Sequence, residues 1–395
     1  MAYRVKKYRY LLTELALLSS FLLTINVNAE NYNELTVEEL RIEKAEQAMN
    51  NVVNRLDSRV NKFALQLSQA RNLTALTQLV IRHGESVWRE AVESFNHEND
   101  FDDRALYWAR LKMTRALRQT QTFKSLLPTQ QQKLMWKFEL LSRGQQDVKF
   151  DRGTAKKILV TGFDPFFLDK HINQSNPSGA VALAFDDLVI SKDGQSAEIE
   201  TLIVPVRFTD FDQGMIEELL TPYIKQYDVD MVVTVSMGRE HFDLERFPGL
   251  RRSANAPDNL NVYTGANGQR PLQPLLKGEP LKGPEFVQFS LPSKAMMAVQ
   301  SPFKVNDNHK VTTLTSTITP KNLKALANQT SVQGSGGGYL SNEISYRSIL
   351  LRNLYNPVLP VGHIHTPRLS GFDAKTLKEI VQQTKAMLTE ALPST

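Results

Sequence analysis

The run Val229-Asp230-Met231-Val232-Val233-Thr234-Val235 constrains the fold more than any other segment of the chain. A strand that is apolar on both of its alternating sides has to be covered on both faces, as in the centre of a parallel sheet. Lys157-Ile158-Leu159-Val160 is a second short run of this kind, and segments of helical character lie at 179–188, 211–227, 341–355 and 374–392. Such alternation predicts an α/β unit, a mostly parallel sheet with helices on both faces. Sites in sheets of this type collect beyond the carboxyl ends of the strands.

The chain before this unit has a different period. Thr36 and Glu39 have capping-box spacing, and Leu40, Ala45, Met49, Val52, Val53, Leu56, Val60, Phe63, Leu65 and Leu67 recur at close to helical intervals. Further helices are predicted at 76–95, 101–123 and 129–141, with no strand between them. The reading is an all-α domain of about four helices over 30–146, a charged linker at 143–154, and the α/β domain over 155–395. The segment 301–330 reads as a surface excursion.

Composition bears on compartment and partners. Hydrophobic residues make up 41% of 395, enough for a sizeable core. Residues 1–29 have a basic start (Arg4, Lys6, Lys7, Arg9), an apolar stretch at 15–25 and Ala29 before Glu30, the pattern of a secretory signal peptide. The segment holds four basic residues and Glu14, and its removal leaves 43 basic against 41 acidic residues, so the formal charge of +5 does not call for a nucleic-acid partner. The expected protein is exported to the periplasm or the extracellular space, with no stable membrane span after cleavage. The chain has no cysteine and hence no disulfide.

The chemistry is concentrated in three places. Gly336-Gly337-Gly338-Tyr339-Leu340-Ser341-Asn342 leads a hydroxyl, Ser341, to the start of a helix, where free N–H groups favour developing negative charge. Gly362-His363-Ile364-His365-Thr366-Pro367 places a histidine at a strand exit, where a general base can face a nucleophile on a neighbouring element. Phe242-Asp243-Leu244-Glu245-Arg246 supplies a carboxylate to orient it. The candidate triad is Glu245, Ser341 and His365. On spacing alone, Ser341 reads rather as a helix cap, while Glu245 can also be the surface partner of Arg246 or Arg251 and His365 a satisfied strand-end histidine.

From about Lys156 onward the chain resembles the pyroglutamyl peptidase I family, cysteine peptidases that remove an N-terminal pyroglutamate. The matching motifs are Thr161-Gly162-Phe163-Asp164-Pro165-Phe166, Asn176-Pro177-Ser178, Glu245-Arg246, Pro257-Asp258-Asn259, Gly283-Pro284 and Phe289-Ser290-Leu291-Pro292-Ser293-Lys294-Ala295. The resemblance implies catalysis by Glu245, Ser341 and His365, and a substrate site formed by Phe163, Phe166, Gly238, Arg239, Tyr339 and Leu340. It implies no cofactor and a peptide with N-terminal pyroglutamate as substrate. The chain departs from the family pattern at Ser341, which stands where the family has its cysteine, at Arg239, near a usual glutamine, and around Asn255, where an arginine is expected. A thiol ionises readily, whereas a serine hydroxyl gives up its proton only during attack, so oxygen in a thiolate site costs activity.

Two function classes follow: a pyroglutamyl-peptidase-like hydrolase using serine, and a catalytically inactive pseudopeptidase acting as an exported peptide- or protein-binding module, its helical domain docking a protein partner. Ile81-Arg82-His83-Gly84-Glu85 spells the signature of the histidine phosphatases, but it falls inside a predicted helix without the strand end that chemistry needs. The seven histidines are scattered, so no metal site is expected.

Overall fold

The computed structural model describes residues 31–392 apart from 99–100, 151–152, 154 and 227–228. The segment 1–29, expected to be a signal peptide, lies outside the described residues. The chain opens with helices α1 (Val37–Leu40), α2 (Ile42–Val53), α3 (Asp57–Gln69), α4 (Leu73–Glu98), α5 (Arg104–Gln119), α6 (Gln121–Lys124) and α7 (Pro128–Leu141). The capping box forms: Thr36 Oγ1 accepts from the Glu39 N–H, and Glu39 Oε2 accepts from that of Thr36. Apolar stripes on α3, α4, α5 and α7 pack together around Phe63, Trp88, Met113 and Phe138. Residues 81–85 are part of α4. His83 is buried there between Gln66 (2.8 Å) and Arg59 (3.3 Å), in no position to meet a phosphate.

The remaining chain forms strands β1 (Lys156–Phe163), β2 (Leu188–Lys192), β3 (Gln195–Val204), β4 (Met231–Met237), β5 (Phe242–Glu245), β6 (Leu275–Leu276), β7 (Glu279–Pro280), β8 (Val305–Asn308), β9 (Val311–Thr313), β10 (Thr317–Ile318), β11 (Ser331–Gln333) and β12 (Val361–Thr366). Its helices are α8 (Pro177–Phe185), α9 (Phe208–Asp212), α10 (Met215–Lys225), α11 (Ser293–Met297), α12 (Leu340–Tyr355) and α13 (Ala374–Glu390). Seven strands form one sheet in the order β2-β3-β1-β4-β12-β5-β8, with β2–β3 and β12–β5 antiparallel and the other pairs parallel. Helices α8 and α13 pack together on one face, and α10 and α12 on the other. Every residue of β4 is buried, as its apolar run demands.

Two readings of the chain need correction. The stretch beginning at Arg143 is no solvated linker. Arg143 is fully buried, its carbonyl accepts from the Ile203 N–H at 3.2 Å, and Gly144 turns the chain at a φ of +94°. The segment 301–330 is more than a surface excursion: β8 completes the main sheet, and β9, β10 and β11 form a small antiparallel sheet beside it.

The helical part and the sheet share one continuous core, in which Trp88 and Phe138 join the same cluster as Ile158, Phe185 and Leu202. Buried ion pairs cross the same junction. Arg110 of α5 reaches Asp164 (2.9 Å) and Glu139 (3.1 Å), Arg143 reaches the same two carboxylates (2.8 and 2.9 Å), and Arg207 binds Glu38 (2.5 Å) and Glu139 (3.1 Å). These attractions hold the Glu139 carboxyl well below its ordinary range despite the cost of burial.

Candidate active site

Strand β5 ends on Glu245, whose side chain is buried. Its Oε1 faces His365 Nδ1 at 2.5 Å, and its Oε2 accepts from Asn308 Nδ2 at 2.9 Å. Burial pushes the Glu245 carboxyl above its ordinary value, and the neighbouring imidazole pulls it back. The contact at Nδ1 turns His365 Nε2 away from the carboxylate, and among the described residues Nε2 has no hydrogen-bond partner. Nothing but hydrogen fits at Gly238 beside this ring, because a Cβ there would stand 2.5 Å from His365 Cβ.

Ser341 is the second residue of α12, so it is not the cap. The cap position is held by Tyr339 in extended conformation, and no side chain caps the helix. The N–H groups of the first turn therefore stay free of helical partners around the hydroxyl. The half-buried Ser341 Oγ donates to the Gly336 carbonyl at 3.3 Å. Gly336 lies between the two sides of the site, since a Cβ on it would meet both His365 Cε1 and Glu245 Cγ at 3.6 Å. Ser341, His365 and Glu245 thus gather around one glycine. The next residue, Asn342, anchors the helix start by accepting from the Gly249 N–H (2.9 Å) and donating to the Gly249 carbonyl (2.7 Å).

Beside the hydroxyl lies a cavity of about 230 Å³, lined by Phe163, Phe166, Tyr339, Leu340 and Ser341. Phe163 and Leu340 are buried in its walls, and the Tyr339 hydroxyl donates to the Pro257 carbonyl at 2.8 Å. The backbone of its entry loop is pinned at two carbonyls: Asn176 Nδ2 donates to Asp164 (2.9 Å) and Asn259 Nδ2 to Pro165 (2.8 Å). Arg41 of the helical part donates in turn to the Asn259 carbonyl at 2.5 Å and pairs with Asp169. Gly238 and Arg239 line a different depression, a groove of about 280 Å³ that also contains His365. The Arg239 side chain is 67% exposed and pairs with Asp243 at 3.3 Å.

Several residues of the site escaped the sequence. Phe167 lines the cavity with its ring 4.4 Å from that of Phe166, and Ala254, Ala256 and Arg368 complete the wall. The doubled phenylalanine was the one available signal. Asn308 gave none, because its role depends on β8 pairing with β5 across 63 residues. His363, two residues before His365, is buried and bonded at both nitrogens, to Thr234 and Ser236 at 2.7 Å each, and burial holds it well below its ordinary pKa. Among the described residues no group of three or more histidine and acidic side chains is placed to hold a metal ion, and no helix is long and apolar enough to cross a membrane.

A family model described as the PA0049 C-terminal domain matches residues 157–286 and 285–370, and one described as the PA0049 N-terminal domain matches residues 24–139. The chain belongs to the PA0049 family. A Pseudomonas aeruginosa member, described as uncharacterized protein PA0049, is 28% identical across 78% of this chain and 74% of its own length. Among solved structures, a mutant pyrrolidone carboxyl peptidase from Pyrococcus furiosus is 20% identical, covering 60% of this chain and 98% of its own, with a TM-score of 0.41. Pyroglutamyl peptidase I from Bacillus amyloliquefaciens is 20% identical over 60% of this chain and 96% of its own, with a TM-score of 0.38.

Proposed function

We propose that the strand-end site hydrolyses the amide bond that follows an N-terminal pyroglutamate, in a protein exported through its leader. The observation that carries this reading is the Glu245–His365 pair at 2.5 Å, set against Gly336 together with the Ser341 hydroxyl at the mouth of an aromatic cavity. In this mechanism Ser341 Oγ attacks the amide carbon and its proton passes to His365 Nε2. The free N–H groups of the first turn of α12 stabilise the oxyanion. Its collapse breaks the C–N bond, and the same nitrogen returns the proton to the leaving amine. Water then attacks the pyroglutamyl ester with His365 again as base, releasing the acid and restoring the serine. Glu245 holds the imidazole and balances its charge, and the cavity walls cover the apolar edges of the lactam ring.

The test is hydrolysis of a pyroglutamyl amide by the mature protein. Ser341→Ala is expected to abolish turnover, and unchanged activity in that variant overturns the mechanism. Ser341→Cys, which lowers the pKa of the attacking group, is expected to raise the rate by an order of magnitude or more.

One observation favours a second reading. The Ser341 hydroxyl is engaged with the Gly336 carbonyl, an acceptor that does not help deprotonate it. The corresponding function is recognition of blocked peptide ends without cleavage, and calorimetry showing binding of pyroglutamyl peptides with no turnover is its signature.

A further inference from the structure

The second depression at the site carries information about the substrate beyond its first residue. It is lined by Arg239, Lys310, Asn308, the Gly334–Gly337 turn and His365, and no carboxylate among the described residues lines it. Lys310 is exposed and has no ion-pair partner among the described residues. The exposed Arg239 side chain makes one 3.3 Å contact, with the buried Asp243, leaving most of its guanidinium donors available. Arg368 sits on the shared rim: its backbone N–H donates to the Arg239 carbonyl at 2.5 Å while it lines the neighbouring cavity.

Position fixes which part of a substrate meets these charges. The aromatic cavity is on the Ser341 side and takes the ring. The groove is on the His365 side, and the imidazole that protonates the leaving amine has to face the residue being released. The two depressions meet at Met237, which lines both. A released residue therefore enters a groove whose charged side chains among the described residues are Arg239 and Lys310, both cations.

We infer that this groove is a carboxylate-binding subsite, so that the preferred substrates are short pyroglutamyl peptides presenting a carboxylate on the residue after the ring. This rests on the reading under Proposed function. The carboxylate has two possible sources, an acidic side chain or the free C-terminus of a dipeptide, and the same chemistry recognises both.

The experiment compares four substrates on the full mature protein: pyroglutamyl-alanine amide, pyroglutamyl-alanine with a free carboxylate, pyroglutamyl-aspartate amide and pyroglutamyl-lysine amide. The expected kcat/KM for either carboxylate-bearing substrate exceeds that for alanine amide about five- to tenfold at low salt, the lysine peptide falls below it, and the advantage shrinks in 0.5 M salt. The free acid against the aspartate amide distinguishes the two sources. Lys310→Glu is expected to reverse the order of aspartate and lysine, and Lys310→Arg to keep it. Cleavage of all four at equal rates overturns the subsite and leaves the peptidase standing. If none is cleaved, the peptidase reading fails, and the affinities of the same four peptides for the protein decide the subsite: a carboxylate preference in Kd supports it, and equal or undetectable binding overturns it.

Discussion

The junction between the helical part and the sheet, and the site at the strand ends, draw on the same kinds of side chain and finish them differently. At the junction Arg110, Arg143 and Arg207 meet Glu38, Glu139 and Asp164, every member is buried, and each carboxylate is shared or chelated. At the site Glu245 is equally buried and saturated by His365 and Asn308, but the chain of contacts then stops. His365 Nε2 has no partner among the described residues, and Ser341 is held by one long bond of 3.3 Å. A buried charge left unpaired is too costly to persist, so the junction is closed by necessity. An imidazole nitrogen at a cavity edge can be left open cheaply, and openness there is what proton transfer requires.

The sharpest way to break the comparison is to open the closed region. Arg110→Met removes a cation from between Asp164 and Glu139 and is expected to lower unfolding free energy by about 3–5 kcal/mol. Denaturant titration measures this, and a loss below about 1 kcal/mol means that the network is not holding the two parts together. Unpicking the site predicts the opposite pattern. Glu245→Gln keeps a hydrogen-bonding shape beside His365 but removes the charge that balances the imidazolium, so kcat/KM on a pyroglutamyl amide is expected to drop about 10²- to 10³-fold. An unaltered rate would strip Glu245 of its role. Asn308→Ala acts one step further out, through the second oxygen of Glu245. About a tenfold loss in kcat with little change in KM is expected, and a stability loss without a kinetic one would make Asn308 purely structural.

A fourth expectation concerns pH. Burial and the nearby Asp186 and Asp187 push the Glu200 carboxyl up to about 9, far above its ordinary value. Between its unfolded value near 4.5 and about 9 the folded state holds a proton that the unfolded state releases, so stability from this group is full at acid pH and falls as pH climbs. Glu200→Gln keeps the neutral shape and is expected to flatten that fall by up to about 1 kcal/mol per pH unit. Parallel slopes for the two proteins in urea at pH 5 to 8 would show that Glu200 is ionised in the fold.

Much of this arrangement was legible before the fold was known. The β4 run announced a covered central strand, and Ser341, His365 and Glu245 stood in ordered motifs. What stayed hidden depends on partners far along the chain. Arg143 read as linker charge because Asp164, just past the end of β1, becomes its neighbour only in the fold, although Glu139 stands four residues before it. The β2–β3 hairpin went unseen because Glu198 and Glu200 break the apolar pattern of a strand, and only burial shows that the sheet tolerates them. The strand β8, polar throughout as Val-Asn-Asp-Asn after its first residue, carries no periodic signal at all, yet it delivers Asn308.

The site is assembled from Phe163, Glu245, Asn308, Ser341 and His365, residues spread over half of the chain, with Arg41 of the helical part bracing its entry loop. Until the main sheet is complete, Ser341 and His365 have no fixed geometry relative to each other. The strand that carries His365 lies between β4 and β5, so the imidazole takes its place beside Glu245 only when both flanking strands are present.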